Sequence, residues 1–365
     1  MVTRDQVTVA YQLILKRPPE SEAAIEMCLA FPDLASLGQF LTDSPEFKAR
    51  NPQPSTPAAT HEHHIYAGYA ASDLDLLRQF TQYQGAGEAG FVTNFLGCKT
   101  RCTLQSPLIP FSGCVEGLPE PVGSTQGETA EFIGTLRAVS EAGPRFRLLE
   151  LGAGYGPWMA ITHAAARQRG ITDIHVYGVE ADAHHVDFIL TNMNDNNINA
   201  AEHTAIHGAV GPEDGIAYWA VEEEPGAVYG GRPMTDADGN DYLGNTRQNV
   251  VEVPVIGIKG LLEKEPFWDL LHIDIQGHEG EVCQAGIDEM TNRVRRVVIG
   301  THSRIQDGIV MDVFHKAGWS LENEKPTISQ WNELAPTVEG MAVVDGVQVW
   351  RNPKLFRSNF MMGAA

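Results

Sequence analysis

The feature that most restricts the fold of this 365-residue chain is an alternation of apolar, strand-like runs with helix-like segments from residue 128 onward. The helical pattern ETAEFIGTLRAVSEA leads into RFRLLEL, WMAITHAAARQRG into IHVYGVE, and DAHHVDFILTNMNDN into HTAIHGAV. A polar, glycine-rich insertion follows, then VVEVPVIG, DLLHIDI, the helix EGEVCQAGIDEM, RRVVIGTH, the helix IVMDVFHKAG and the short strands WSLENE and GVQVW. Strands separated by helices run parallel, and this alternation predicts an α/β doubly wound sheet. In open sheets of that kind ligands bind outside the carboxyl ends of the strands. Glu150, Glu180, Gly208, Asp274 and His302 fall at or just past predicted strand ends, so topology alone gathers them into one crevice.

The glycine turn LLELGAGYGPW places Gly152, Gly154 and Gly156 directly after a strand and before a helix. Glycines there permit a tight turn and let backbone N–H groups approach a ligand. The pattern is GxGxG, with Glu150 two residues ahead of the first glycine. A carboxylate so near a phosphate-cradling turn would repel the anion, whereas it suits the cationic end of a sulfonium cofactor bearing a free amino group. Glu180, ending the next strand, is placed to accept hydrogen bonds from two ribose hydroxyls. These two acids favour S-adenosylmethionine (SAM) over NAD.

Four segments then resemble the FkbM-type methyltransferases, a branch of the SAM-dependent class I superfamily. They are Glu150-Leu151-Gly152-Ala153-Gly154-Tyr155-Gly156, Val179-Glu180, Ala209-Val210-Gly211, and Ile273-Asp274-Ile275-Gln276-Gly277-His278-Glu279. Where the family typically has Lys and Glu in the last motif, this chain has His272 and Gln276. The resemblance covers roughly residues 127–350. It implies a Rossmann-like sheet with an antiparallel final strand and a SAM site. Gly152, Gly154 and Gly156 would hold the methionine side with Glu150 near its amino group, Glu180 would take the ribose, and Ala209 and Val210 would lie flat on the adenine. The segment 123–128 opens the leading helix, where Ser124 and Glu128 serve as caps or cover the cofactor.

Methyl transfer to an alcohol needs a positioned nucleophile and a route for its proton. His302 is the first candidate base, because a neutral imidazole is available near pH 7. Asp274 would orient it, and His278 stands near the same strand end. A divalent cation such as Mg²⁺ on Asp274, Glu279 and His302 is the minority reading of the same residues. Glu279 also suits a helix N-terminus on dipole grounds alone, and His272 is expected on the face away from the core. The insertion over residues 222–249, with Tyr229, Arg232, Tyr242 and Arg247, is read as a substrate lid. The run 236–241 lacks the full EF-hand pattern and is discounted as a calcium loop.

The first 50 residues read as a small all-α domain: VTVAYQLIL, ESEAAIEMCLAF and LASLGQFL carry helical spacing, broken by RPPE. This stretch resembles a helical domain of unknown function found in bacterial proteins linked to surface polysaccharides and glycosyltransferases. The resemblance rests on Tyr11, Leu15-Lys16-Arg17-Pro18-Pro19 and Ser44-Pro45-Glu46-Phe47. Residues 51–126 read as a linker rich in Pro, Ser, Thr and His followed by accessory helix and strand, and 127–355 as the α/β domain. The cluster His61-Glu62-His63-His64 is read as solvated linker.

A formal net charge of −21 disfavours a nucleic-acid partner, which would call for a basic face. No stretch approaches the roughly 20 apolar residues of a membrane helix, and no secretion signal is visible, which predicts a cytoplasmic protein. The five cysteines are read as free structural thiols. Together these readings predict a SAM-dependent O-methyltransferase acting on a hydroxyl of a sugar or glycosylated acceptor. Nothing in the sequence opposes a homo-oligomer. A non-catalytic SAM-binding scaffold and an NAD-dependent oxidoreductase are the rivals.

Overall fold

The computed structural model describes residues 2–356 except 16, 33, 45, 47–66, 122, 236–246, 248 and 336. The His cluster at 61–64, the run 236–241 and Tyr242 therefore lie outside the described residues. Contacts divide the chain into two compact units, Met1–Ile65 and Tyr66–Ala365.

The first unit contains α1 (Arg4–Ala10), continued by a π turn at Tyr11–Leu15, then α2 (Glu22–Leu29) and α3 (Leu34–Asp43). Thr3 and Gln6 form a capping box on α1, and Ser21 caps α2. Val7, Tyr11, Leu15, Cys28, Leu37 and Leu41 make a small core. Arg17 Nε donates to Glu46 Oε1 at 2.7 Å, which joins the Arg-Pro turn to the closing motif that the resemblance singled out.

The second unit begins with the short helix α4 (Leu74–Leu77) and the hairpin β1 (Phe91–Thr93) and β2 (Lys99–Arg101). The α/β region then runs α5 (Thr129–Ser140), β3 (Arg145–Leu151), α6 (Pro157–Gln168), β4 (Asp173–Glu180), α7 (Ala183–Asp195) and β5 (His203–His207). Strands β6 (Ala209–Gly211), β7 (Gly215–Ala220) and β8 (Val250–Gly257) form a separate three-stranded sheet in the order β6-β8-β7. The chain continues through α8 (Ile258–Leu262), β9 (Trp268–Ile273), α9 (Glu279–Arg293), β10 (Val294–Thr301), α10 (Arg304–Lys316) and β11 (Ser320–Lys325). It closes with the small pair β12 (Ile328–Ser329) and β13 (Ala342–Val344), and with β14 (Gly346–Arg351).

The main sheet has seven strands in the order β11-β14-β10-β9-β3-β4-β5. Strand β14 pairs antiparallel with both β10 and β11, while β10/β9, β9/β3, β3/β4 and β4/β5 are parallel. This is the doubly wound sheet with an antiparallel final strand. Side chains alternate between two cores: Leu148, Leu270 and Val298 face Phe132, Trp158 and Met159, and Leu149, Leu271 and Val297 face Ile258, Val282 and Phe314. His272 departs from the expectation of a face away from the core. It is fully buried and stacked on Trp158 at 4.8 Å, because a central strand covered by helices on both faces has no exposed side. HTAIHGAV also divides at Gly208: β5 stays in the main sheet, and the following residues turn away into β6.

Order reverses at β3, which lies between β4 and β9, and there the strand ends come very close. Asp274 N–H donates to Leu151 O at 2.9 Å. Gly152 has φ +73°, and a Cβ on it would stand 1.8 Å from the Asp274 carbonyl oxygen. No L side chain fits that position. Gly152→Ala is expected to cost about 3–5 kcal/mol, measured as a lower urea midpoint at unchanged m-value.

Candidate functional site

A cavity of about 480 Å³ opens at the carboxyl ends of β3, β4 and β9, in the size range of small-molecule sites. Among the sequence-predicted residues, Gly152, Gly154, Glu180, Ala209, Val210, Asp274 and His278 line it. Glu150, Gly156, His302 and Glu279 do not; they support it from beneath. Ser124 and Glu128 also lie off the cavity, where Glu131 caps the Glu128 N–H at 2.8 Å and Lys325 pairs with the Glu128 carboxylate.

Glu150 is buried under the glycine turn. Its Oε2 accepts the Met159 N–H at 2.9 Å, in the first turn of α6. Gly156, the residue preceding that helix, has no side chain to cap it, so Glu150 supplies the acceptor. Burial pushes its pKa well above the carboxylate range; neighbouring Asp274 and Glu180 push the same way, against the backbone N–H bonds of Met159 and Trp158.

Glu180 bridges the turn and its own strand end: Oε2 accepts from Gly154 N–H and Oε1 from Asp182 N–H, both at 2.8 Å. A carboxylate has about four lone-pair positions, so both oxygens keep capacity for a ligand hydroxyl. Asp182 in turn caps α7 through His184 N–H and accepts from Trp219 Nε1 at 3.1 Å. Ala209 and Val210, apolar and buried, form a wall beyond β5.

At the end of β9, Asp274, His302 and Glu279 form a line. His302 Nε2 lies 3.1 Å from Asp274 Oδ1, and Nδ1 lies 2.8 Å from Glu279 Oε1. The Asp274 side chain is 41% exposed, His302 only 8%, and Glu279 not at all. Glu279 is fixed further by the Ile275 and Gly277 N–H groups. Burial alone would favour neutral His302, but the two carboxylates outweigh it and hold its pKa well above the ordinary value. Burial alone would likewise raise Asp274, yet the His302 imidazolium holds it below the usual range. The pair is thus a buried cation behind an ionised carboxylate that opens into the cavity.

With both His302 ring nitrogens committed to carboxylates, no lone pair is left for a cation, and Asp274 and Glu279 sit on opposite sides of the ring. Among the described residues no group of three or more His, Cys, Asp or Glu is arranged to hold a metal ion. The reading of Asp274, Glu279 and His302 as a Mg²⁺ site is therefore not supported. His278 stands apart from the line: its Nε2 accepts from Arg232 Nε at 2.9 Å, and Nδ1 faces Glu281.

Sequence reasoning did not single out Asp182, His185, Trp219, Met234 or Asp345, all of which line the cavity. Asp182 had a signal, as an N-cap residue directly after a strand. Trp219 had none, since β7 was hidden at the edge of a stretch read as insertion. From that insertion Glu222, Tyr229, Arg232 and Arg247 reach the cavity. All five cysteines are free, and only Cys114 is exposed. Among the described residues no helix is long and apolar enough to cross a membrane.

The sheet and the crevice at its carboxyl ends are those of a Rossmann-like α/β domain. Residues 150–321 match the model of the methyltransferase FkbM domain. A Jannaschia sp. (strain CCS1) protein, named provisionally as a methyltransferase, is 31% identical over 282 residues, spanning 76% of this chain and 98% of its own. Among solved structures, methyltransferase FkbM from Methylobacillus flagellatus KT gives a TM-score of 0.35 at 8% identity, covering 63% of this chain and 56% of that one. Precorrin-6y C5,15-methyltransferase from Geobacter metallireducens GS-15 gives 0.34 at 9% identity, covering 63% and 92%. On the two sequence matches, the chain belongs to the FkbM family of methyltransferases.

The raised His302 pKa has a defined consequence for stability. The contribution is fully present below the unfolded value near 6.5 and is lost as pH rises through the higher folded value. His302→Gln is expected to lower stability near neutral pH by about 3 kcal/mol, because Glu279 loses its buried partner. Thermal unfolding from pH 6 to 10 should show wild type losing its advantage over His302→Gln as the solution becomes alkaline.

Proposed function

We propose that this methyltransferase uses SAM and transfers its methyl group to a hydroxyl of a sugar or glycosylated acceptor. The observation that carries the reading is the Asp274 carboxylate, held at 3.1 Å by the buried His302 ring and opening into an acidic crevice beside the glycine turn. Among the described residues the lining holds five carboxylates, Glu180, Asp182, Glu222, Asp274 and Asp345, against two guanidiniums, Arg232 and Arg247. A sulfonium cofactor with an ammonium group is attracted to such a lining, and a dinucleotide pyrophosphate is repelled.

In this reading the turn through Gly152 and Gly154 holds the methionine side, Glu180 accepts the ribose hydroxyls, and Ala209 and Val210 pack on the adenine. Bound SAM would supply a methyl carbon already activated by positive sulfur. The chain itself must hold the acceptor hydroxyl and take its proton. Asp274 is the group that reaches the cavity, so we assign it that contact. His302 keeps the carboxylate in place and ionised, and Glu279 fixes the ring. We assign the contact with the hydroxyl to Asp274 rather than to His302; held below the usual carboxylate range, Asp274 orients the hydroxyl and takes its proton only as the bond to the methyl carbon forms and the oxygen becomes acidic. Preference for a saccharide rests on the resemblances of the N-terminal unit and of the methyltransferase domain.

Calorimetric titration with S-adenosylhomocysteine (SAH) and with NADH tests the cofactor. Saturable SAH binding, silent NADH and indifference to chelation are expected, with stabilisation of about 2.7 kcal/mol at 100 times the dissociation constant. Asp274→Asn should keep SAH affinity while methyl transfer from labelled SAM falls by about 10²–10⁴. NADH binding contradicts the cofactor assignment, and an active Asp274→Asn enzyme contradicts the assigned role.

A further inference from the structure

We propose that His185 is a positioning residue that ties the segment 225–231 to Glu180 and so sets how firmly the crevice retains its cofactor. This inference rests on the reading of the crevice as a SAM site. His185 lies in the first turn of α7, is buried, and makes three contacts that converge on the cavity. Its Nε2 is 3.0 Å from the Pro225 carbonyl oxygen, and its Nδ1 is 3.9 Å from Glu180 Oε1. Its ring stacks on Tyr229 with centroids 4.5 Å apart and planes within 6°.

Tyr229 carries the link onward. Its hydroxyl donates to the Leu104 carbonyl, and its ring meets Tyr155 edge-on at 5.8 Å. It also covers the glycine turn so closely that a Cβ on Gly154 would lie 3.1 Å from Tyr229 Cε1. Gly154 N–H donates to Glu180, which closes a ring of contacts: Glu180, Gly154, Tyr229, His185 and back to Glu180. The segment is anchored beyond this ring as well, since Ser106 Oγ donates to Gly226 O at 3.1 Å. A ligand on the glycine turn and Glu180 therefore meets a wall held in place by His185.

His185 Nε2–H donates to the Pro225 carbonyl, while Nδ1, 3.9 Å from Glu180 Oε1, is within ion-pair but not hydrogen-bond distance, so a second proton adds a charge attraction to Glu180. The titratable groups around it are Glu180 on β4, Asp182 at the cap of α7, His184 beside it on the helix and Tyr229 on the segment; Phe188 supplies an apolar contact. Burial alone would favour the neutral ring, but the Glu180 carboxylate and the Pro225 carbonyl reverse this and raise its pKa above the ordinary value. The charge attraction to Glu180 is present in full below about pH 6.5 and is lost as pH rises through the higher folded value, while the Pro225 bond and the Tyr229 stack persist in the neutral ring.

The test is SAH calorimetry on the full chain between pH 6 and 9, for wild type, His185→Gln and Tyr229→Leu, with ligand-free thermal unfolding alongside. Wild-type affinity should weaken about threefold across that range, and His185→Gln should be about tenfold weaker at pH 6 with a flat profile. A His185→Gln protein that binds as tightly as wild type at pH 6, or repeats the wild-type profile, overturns the proposal. Should His185→Gln fail to fold, Tyr229→Leu decides: it removes the stack but keeps the imidazole, and unchanged SAH affinity overturns the proposal. Wild type that binds no SAH at any pH overturns the SAM reading itself, whereas tight but pH-independent binding overturns only the role of His185.

Discussion

The architecture of the crevice depends on one close approach, that of the ends of β3 and β9 at Gly152 and Asp274. The hydrogen bond from Asp274 N–H to Leu151 O draws the two strand ends together, and only a residue without a Cβ can occupy the next position. That contact places the glycine turn beside the Asp274 side chain, the two elements that a group-transfer site must bring together. Strands β9 and β10, buried along their whole length and paired parallel, hold the arrangement in the middle of the sheet.

Around that contact four acids have been given four different tasks by their surroundings. Glu150, fully enclosed, caps a helix that begins after a glycine. Glu180 spends one bond on the turn and one on its own strand end and remains open to the cavity. Asp274 stays ionised because an imidazolium stands behind it, and Glu279 stays buried because it holds the other side of that ring. The chemistry follows from burial and partners, since the same functional group appears in each case.

Much of this was legible from residues alone. The period of strand and helix pointed to the doubly wound sheet; of the five residues that strand-end topology assigned to one crevice, Glu180, Gly208 and Asp274 line the cavity, whereas Glu150 and His302 lie behind it. What could not be read was which way each end residue turns. Glu150 and Glu180 both sit at the ends of parallel strands, but one points under the turn and the other into the opening, a difference decided by the missing cap at Gly156. The line Asp274–His302–Glu279 joins residues from two strand ends and a helix start, so spacing suggested proximity without giving the order. The His185 strut depends on a segment more than thirty residues away, and β7 with Trp219 was concealed by the polar residues that follow it. Long-range pairing of this kind leaves no local pattern to read.

The central claim is that SAM binds in this crevice with its reactive end toward Asp274. A crystal structure of the SAH complex tests it most directly. The account predicts the ribose hydroxyls on Glu180, the adenine against Ala209 and Val210, and the thioether sulfur facing the cavity side of Asp274 beyond the glycine turn. SAH bound elsewhere, or bound here with its sulfur turned away from Asp274, would contradict it.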